Sequence, residues 1–477
     1  MKRPSCGRLV SLLSIGLFAA SLAARADDPA QVGSWSGVLS WPAVAVHSIL
    51  LPDGRVLWFR GDESPLARTY VWDPASDGMT SQELDADVFC GGHSFLPDGR
   101  VLVIGGAIRG QSAGPPTSFL FDPATSTWTR EPDLRRGRYY PSSVSLGDGR
   151  TAVFSGLDEH GEPNPLVEIF VQGTNGDPDR WDLLEGADLA MEYYPRLHLL
   201  PSGNIVRVGP EGQTKLLDMT TASWSDVATS RYPIRDDGTS VVLPPSHTRI
   251  MITGGADIQA VSPQGYDSAE IIDMADPVPA WRDAAPMHYP RINAIAVTLP
   301  DGKILVAGGA EDVYQLHPVL PAEIYDPATD VWTEAASLTL PRMYHSSAVL
   351  LPDGRVLWAG ANQYPSAEIY SPPYLFQGSR PTFHSAPEVL HYGAKFSVKS
   401  RQGRDVATVV LMRPGAATHA QSHEQRYVGL TLEHRGARRL VVTAPTEPNI
   451  APPGYYMMFL VDGRGVPSVA RMVRLGP

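Results

Sequence analysis

A seven-residue phrase, Leu-Pro-Asp-Gly-Arg-Val-Leu, recurs along the chain and constrains its fold more than any other feature. It occurs unchanged at Leu51–Leu57, Leu96–Leu102 and Leu351–Leu357. Degenerate copies begin at Leu146, Leu200, Leu243 and Leu299. Successive copies start 45, 50, 54, 43, 56 and 52 residues apart. A period of about 50 residues indicates an array of similar structural units.

Each copy has the pattern of a β-hairpin. Pro-Asp-Gly provides a tight turn between two apolar runs. The Gly-Gly pairs that begin at Gly105, Gly254 and Gly308 then end the second strand, where backbones are expected to crowd. One tryptophan near the end of several units is expected to pack within its blade: Trp128, Trp224 and Trp332. No long stretch has a helical period, so the sequence predicts an all-β, seven-bladed β-propeller with the kelch period.

The repeated phrase is absent after Pro381, but segments with strand character continue. They are Lys395–Val398, Thr408–Met412, Val428–Leu432, Arg439–Thr443 and Met457–Val461. Short strands separated by turns over about a hundred residues favour an immunoglobulin-like β-sandwich. The predicted organisation is therefore a signal peptide at residues 1–26, the propeller at 27–377 and the sandwich at 378–477.

The N-terminal segment has the pattern of a secretory signal. Lys2, Arg3 and Arg8 precede an apolar run over Leu9–Leu22, and Ala24–Ala26 fits a cleavage site for small residues. The alternative is a membrane anchor, but the apolar run is short for a bilayer span. We expect a secreted or extracytoplasmic protein, in the periplasm or cell envelope, with no integral membrane segment in the mature chain.

Charge and cysteine content narrow the function. Without residues 1–26, the chain has 35 Lys and Arg against 51 Asp and Glu, a formal charge of −16. This balance argues against binding of a nucleic acid backbone and favours neutral or small substrates. Of the two cysteines, Cys6 lies in the predicted signal, which leaves Cys90 alone in an oxidising compartment. Such a cysteine needs an intermolecular partner, a reactive role or another covalent fate.

The repeat also predicts which residues meet at the propeller axis. Propeller symmetry brings equivalent positions of all blades to one ring around the channel. The position six residues before each opening leucine holds, in order, Ala45, Cys90, Tyr140, Tyr194, Asp237, Asn293 and His345. Four of these residues can bind or modify a metal site. The alternative is that a buried Cys or Tyr on an inner strand serves packing alone.

Tyr344 and His345 are neighbours, and side chains of consecutive strand residues point to opposite faces. Both can reach one ion only if the strand ends or bends at this point. Imidazole nitrogen and phenolate oxygen together suit Cu(II). A second imidazole is available from His419 in the C-terminal region, with His423 as a nearby rival; a loop histidine without a metal is the alternative for His419.

Several motifs in this order resemble those of the galactose oxidase and glyoxal oxidase group of copper radical oxidases. The motifs are Phe89-Cys90-Gly91, Arg138–Ser143, Tyr344–Ser346, Ala417–His419 with Gln425-Arg426, and Pro452–Tyr456 with Gly465–Ser468. The resemblance extends over essentially the whole mature length and is closer to glyoxal oxidase and bacterial relatives than to galactose oxidase itself.

The resemblance implies a role for each site residue. Cys90 would form a thioether with Tyr140, and this modified tyrosine would bind copper and hold a radical. His345 and His419 would be the nitrogen ligands of the one copper ion. Tyr344 would be the axial ligand and the base that takes the substrate's hydroxyl proton. The implied reaction is oxidation of a small aldehyde or primary alcohol, or of a carbohydrate, by O2, with release of hydrogen peroxide from a monomeric enzyme.

The chain departs from galactose oxidase at two places. No tryptophan lies near Leu157, where that family shields the cross-linked tyrosine; Tyr194 and Tyr139 are candidates for the role, with packing as the alternative for each. Ser422 stands where the family has an asparagine. Two other functions remain open at this stage: a non-catalytic secreted kelch protein that binds glycans or a protein partner, and a glycoside hydrolase.

Overall fold

The structure, a computed structural model, describes residues 28–60, 67–174 and 176–476. The predicted signal peptide, including Cys6, lies outside these residues. The described chain is nearly all β, with one short helix at Pro29–Val32 and a 3-10 turn at Pro373–Phe376. None of its helices is long and apolar enough to cross a membrane.

Seven antiparallel blades of four strands each form the predicted propeller, and short extra strands extend the sheets of blades 1 and 7. The predicted fold class is confirmed. Blade 1 comprises His47–Leu50, Val56–Phe59, Ala67–Asp73 and Gly78–Leu84, and blade 2 comprises Gly92–Phe95, Val101–Ile104, Ser118–Asp122 and Thr127–Glu131. Blade 3 comprises Ser142–Ser145, Thr151–Phe154, Glu168–Val171 and Arg180–Leu183, and blade 4 comprises Leu197–Leu199, Ile205–Arg207, Glu211–Asp218 and Ser223–Ile234. Blade 5 comprises Thr239–Val242, Arg249–Thr253, Ala269–Asp273 and Arg282–Ala284, and blade 6 comprises Ile295–Thr298, Ile304–Ala307, Pro321–Asp326 and Val331–Ser337.

Blade 7 closes the ring with strands from both ends of the propeller. Its first three strands are Ser346–Leu350, Val356–Gly360 and Ser366–Ser371, and its outer strand is Ser34–Trp35 from the start of the described chain. Leu39–Ser40 pairs with the same strand. The N-terminal segment therefore ties the last blade to the first.

The repeated phrase forms the turn between the first two strands of a blade. In blade 1, the Asp53 carboxylate accepts hydrogen bonds from the backbone N–H and the side chain of Arg55, and Gly54 has a φ of 88°. The same Asp–Arg pairing recurs at Asp98, Asp148 and Asp353. Asp-Gly-Arg thus encodes a turn in which the glycine adopts a left-handed conformation and the aspartate carboxylate accepts hydrogen bonds from the arginine two residues later.

Buried arginine–glutamate pairs brace the blades just outside the axis. The fully buried guanidinium of Arg138 donates to Glu168 on the third strand of blade 3, at 2.8 Å. The pattern recurs in later blades, as Arg235–Glu270, Arg291–Glu323 and Arg342–Glu368. Each arginine lies two or three residues before a ring position, so these pairs fix the backbone that carries the ring. The sequence analysis did not identify them.

The C-terminal region forms a separate, curled eight-stranded sheet around its own core. In order across the sheet, the strands are Phe383–Ser385, Lys395–Ser400, Arg439–Thr443, Arg426–Arg435, Val406–Arg413, Gly454–Asp462, Arg471–Gly476 and Val389–His391. All five predicted strand segments lie within strands of this sheet.

Candidate metal centre

Six of the seven ring positions share an unusual backbone conformation at the propeller axis. Their φ angles lie between 46° and 65°, in the left-handed region that residues other than glycine seldom adopt: Cys90, Tyr140, Tyr194, Asp237, Asn293 and His345. Each residue immediately precedes the innermost strand of its blade or lies a few residues before it. A left-handed residue costs about 1–3 kcal/mol, so it persists only where the surroundings hold it.

Backbone hydrogen bonds between neighbouring blades provide that restraint. The Tyr140 N–H donates to the Cys90 carbonyl at 2.8 Å, and the Tyr194 N–H donates to the Tyr140 carbonyl at 2.9 Å. The Asn293 N–H donates to the Asp237 carbonyl at 3.0 Å. The repeat alignment therefore identified a real structural ring, and it places Cys90 and Tyr140 in directly bonded neighbouring blades.

His419 reaches the axis on a hairpin of the C-terminal region. The hairpin strands are Ala416–Thr418 and Gln421–Ser422, and the first pairs with the innermost strand of blade 1, with Thr418 opposite His47. His419 follows at the hairpin turn, with a φ of 45°. Its side chain is buried against the ring although it is distant from the propeller in sequence.

The five predicted site residues converge on one point. The donor atoms of Cys90, His345 and His419 all lie within 4.8 Å of one another. The Cys90 Sγ is 3.6 Å from the His419 Nε2. The Tyr140 and Tyr344 hydroxyl oxygens are 2.5 Å apart, and both rings pack against His419. Sulfur, two imidazoles and two phenols thus occupy one small volume.

Tyr344 and His345 lie where a strand has not yet begun, which is the condition under which two consecutive residues can reach one ion. The innermost strand of blade 7 begins at Ser346, so both residues lie before it, where the chain bends at the left-handed His345. Their rings stack with centroids 3.9 Å apart, side by side. Both side chains consequently face the axis.

Hydrogen bonds leave one ring nitrogen of each histidine free for a metal. The His345 Nδ1 is 2.5 Å from the Asn362 Oδ1, an acceptor, so this nitrogen carries the proton. The His345 Nε2 is buried and has no hydrogen-bond partner among the described residues. For His419, the Thr418 hydroxyl donates to the Val46 carbonyl and therefore accepts from the His419 Nδ1 at 2.6 Å. Both Nε2 lone pairs then face the site, as bound metals require.

Burial keeps the site uncharged in the absence of a cation. Burial raises the pKa of Tyr140 far above its ordinary value, and the neighbouring Cys90 raises it further. Burial likewise raises the pKa of Tyr344 and of the Cys90 thiol. Burial lowers the pKa of His345 to about 4, so its imidazole is neutral at pH 7. Two neutral imidazoles and two phenols that a cation can deprotonate fit a Cu(II) site.

Tyr193, which the sequence analysis missed, lies over Tyr140. Their rings stack with centroids 5.2 Å apart and an interplanar angle of 24°. The two candidates named for this position, Tyr139 and Tyr194, meet Tyr140 edge-on instead, at 85° and 72°. Tyr193 directly precedes a ring position, as Tyr139 and Tyr344 do, so the repeat alignment shifted by one residue is the signal that could have identified it.

A chain of buried histidines behind Cys90 was also missed. The His47 Nε2 accepts from the Cys90 N–H at 3.2 Å, so the His47 proton is on Nδ1. That Nδ1 donates to the His93 Nε2 at 3.1 Å. Burial lowers the pKa of His47 and of His93 well below the ordinary value, so both are neutral. His423, the predicted rival of His419, packs against His93 and is not part of the metal-ligand cluster.

A cavity of about 500 Å³ connects the site with the propeller surface. Tyr140, Tyr344 and His419 form its floor. Its walls include Tyr139, Glu192, Tyr193, Arg196, Asp236, Asp237 and Ile258. This volume accommodates a small molecule directly above the two phenols.

Comparisons with known proteins agree with this architecture. The glyoxal oxidase N-terminus family matches residues 61–375, and the galactose oxidase-like early set domain matches residues 380–475. The chain is 31% identical to "Aldehyde oxidase GLOX" of Vitis pseudoreticulata, over 90% of each chain, and 26% identical to the galactose oxidase of Gibberella zeae, over 98% of this chain and 73% of that one. It is 30% identical to a WSC domain-containing protein of Arthroderma benhamiae over 85% of its own length, but it spans only 48% of that relative.

A solved structure shares the fold. It is described as a fungal alcohol oxidase of the AA5 family in complex with copper, and it matches with a TM-score of 0.84 and 24% identity, over 94% of this chain and 100% of that chain.

Proposed function

The chain belongs to the glyoxal oxidase and galactose oxidase family of copper radical oxidases, and on this basis we propose that it oxidises a small aldehyde or primary alcohol with O2 and releases hydrogen peroxide. The observation that carries the proposal is the convergence of Cys90, Tyr140, Tyr344, His345 and His419 on one buried point. The same five residues are those that the family resemblance selects.

The free nitrogens and the phenols define a ligand set. His345 and His419 would bind copper through Nε2, because their Nδ1 protons are engaged by Asn362 and Thr418. Tyr140 and Tyr344 would bind as phenolates, which requires loss of both hydroxyl protons, including the one that lies in the 2.5 Å contact between them. When bound, copper supplies a redox centre that exchanges one electron.

Cys90 would modify Tyr140. The proposed thioether joins the Cys90 Sγ to a ring carbon of Tyr140. The S–H and C–H bonds break, and the two protons and two electrons that they release reduce O2 to hydrogen peroxide. The hydrogen bond from the Tyr140 N–H to the Cys90 carbonyl holds the two residues in register for this bond. Sulfur on the ring makes the tyrosyl radical easier to form, and the stacked Tyr193 covers one face of it.

The reaction R–CH2OH + O2 → R–CHO + H2O2 removes two electrons and two hydrogens from the substrate. The Tyr344 phenolate oxygen would accept the hydroxyl proton, and the Tyr140 radical would accept the carbon-bound hydrogen atom with one of the two electrons. Bound copper would supply the acceptor for the other electron. A hydrated aldehyde, R–CH(OH)2, loses the same two hydrogens and gives a carboxylic acid. The cavity above the two phenols would orient the reacting carbon and exclude water.

We also propose that the protein acts outside the cytoplasm. The basic, apolar and small-residue pattern of residues 1–26 supports export.

A peroxide-coupled screen tests the function. Purified protein is loaded with Cu(II) and offered a panel of small aldehydes, primary alcohols and sugars. We expect O2-dependent peroxide formation that is lost on chelation and in the Cys90→Ala variant. A protein that binds glycans without peroxide formation would favour the non-catalytic kelch alternative, and glycan cleavage that survives chelation and Cys90→Ala would favour a glycoside hydrolase.

A further inference from the structure

The cavity above the site has an acidic wall that the proposed mechanism does not use. We propose that Asp236 and Asp237 select substrates that carry a hydroxyl or protonated amino group near the reacting carbon, and that they exclude carboxylate-bearing aldehydes and alcohols. This inference rests on the proposed oxidase function and specifies its substrate class.

The two aspartates are held rigidly at the cavity wall. Asp237 occupies the ring position of blade 5, and its carbonyl accepts a hydrogen bond from the Asn293 N–H of the next blade. The backbone of Asp236 forms a two-way bridge with Ala256, with N···O distances of 2.8 and 3.0 Å. Both residues line the cavity together with Tyr344 and His419. Their charge therefore acts at the position where a substrate would react.

Burial raises the pKa of both aspartates and the neighbouring Arg196 opposes that increase, so its positive charge offsets part of the negative charge of this wall. All three guanidinium nitrogens of Arg196 donate to backbone carbonyls, at Gly238 and Tyr194, with distances of 2.6 to 3.0 Å. The remaining acidic residue of the wall, Glu192, already receives two hydrogen bonds from Arg207. With Glu192 paired to Arg207, the two aspartates and Arg196 leave the cavity lining with a formal excess of one negative charge.

Asp236 also has an unmet acceptor. Its Oδ2 atom is buried and has no hydrogen-bond partner among the described residues. Burial raises the pKa of Asp236 to about 6, so the carboxylate is still mostly ionised at pH 7. The negative charge of Asp236 and Asp237 attracts a hydroxyl or ammonium group of a substrate in the cavity, whereas it repels a carboxylate.

Asp237 lies close enough to affect Tyr344. Burial and Cys90 raise the pKa of Tyr344, and the negative charge of Asp237 adds to that increase. The same charge favours a substrate with a positive or donor group beside the carbon that faces Tyr344. Apolar side chains complete the wall, with Tyr139, Tyr193 and Ile258 available to pack against the carbon skeleton.

Three matched primary alcohols test the selection: 3-amino-1-propanol, propane-1,3-diol and 3-hydroxypropanoate, which differ in charge at the distal end. With copper-loaded protein, we expect kcat/KM for the amino alcohol and the diol to exceed that for the carboxylate by at least about tenfold. Asp236→Asn and Asp237→Asn should each narrow this ratio without changing the fold. Asp276→Asn, at an exposed turn far from the cavity, is the matched control and should leave the ratio unchanged.

Binding of the same three compounds to the metal-free protein, followed by ligand-observed NMR, separates this inference from the oxidase function. Preferential binding of the donor-bearing compounds that weakens in both aspartate variants would support the selection even if none of the three were oxidised. Equal or stronger binding or turnover of 3-hydroxypropanoate would overturn it. A ranking that persists unchanged in both variants would likewise overturn the assignment to Asp236 and Asp237.

Discussion

Replacement of His47 by phenylalanine should slow formation of the Cys90–Tyr140 bond. The His47 ring stacks on Phe59 with centroids 4.4 Å apart and an angle of 16°, a contact that phenylalanine preserves. The variant loses the acceptor for the Cys90 N–H and the donor to His93. The perturbation is therefore confined to hydrogen bonding behind the cysteine.

The expected decrease in the rate follows from the loss of the hydrogen-bond acceptor of the Cys90 N–H. A buried N–H without a partner costs about 1–3 kcal/mol. Cys90 can avoid this cost by leaving its left-handed conformation, in which φ is 56°, and that change would carry the thiol away from Tyr140. If the reactive conformation becomes less favourable by about 2 kcal/mol, bond formation slows roughly 30-fold.

The assay is a time course of cross-linking after Cu(II) and O2 are added to metal-free protein prepared without oxygen. The linked chain is detected by mass spectrometry of the joined peptides. His47→Gln is the matched control, because its amide oxygen can accept from the Cys90 N–H, and it should cross-link faster than His47→Phe. Cross-linking of His47→Phe at the wild-type rate, in protein with an unchanged unfolding midpoint, would refute the reasoning.

Three further predictions concern the shield, the metal and the histidines. Tyr193→Leu removes a stacked ring worth about 0.5–1.5 kcal/mol. The tyrosyl radical signal in electron paramagnetic resonance should therefore decay faster in this variant than in wild type or in Tyr193→Phe. Equal radical lifetimes would contradict the shielding role. His419→Ala should abolish the tight copper binding that calorimetry measures, whereas His423→Ala should still bind one copper per chain. The reverse result would show that His423 is the ligand. The metal-free protein should lose stability as pH falls from about 6.5 to 4, because burial lowers the pKa of His198 to about 3 and of His423 to about 4, so that the unfolded chain binds more protons than the folded one. His198→Leu should reduce the slope of the urea unfolding midpoint plotted against pH. A gain in stability on acidification would contradict this prediction.

The repeat made the propeller and its axial ring predictable. A fixed offset from the turn located six residues that adopt the same left-handed conformation, because propeller symmetry repeats backbone geometry and not only sequence. Strand alternation correctly indicated that Tyr344 and His345 share a site only outside a strand. His419 was a candidate beside His423, and the family resemblance selected it, since nothing in its local pattern shows that its hairpin pairs with blade 1.

Other features depend on contacts that a single sequence does not encode locally. Tyr139, Tyr193 and Tyr344 share one repeat position, and only the structure shows that it is Tyr193 whose ring stacks on Tyr140. The contacts of His47 and His93 bring together two blades and become apparent only when the inner strands are placed side by side. The acidic cavity wall could not be predicted from the sequence either, because only the structure shows that Arg196 lies beside the two aspartates and donates its hydrogen bonds to backbone carbonyls.

The covalent state of Cys90 tests the central claim most directly. After exposure of metal-free protein to Cu(II) and O2, intact mass should fall by two hydrogen atoms, and a digest should contain the Cys90 and Tyr140 peptides joined by a bond that thiol reductants do not break. The Cys90→Ala chain should show neither change. A free thiol at Cys90 with unlinked peptides, in protein shown to contain one copper per chain, would contradict the proposed radical oxidase.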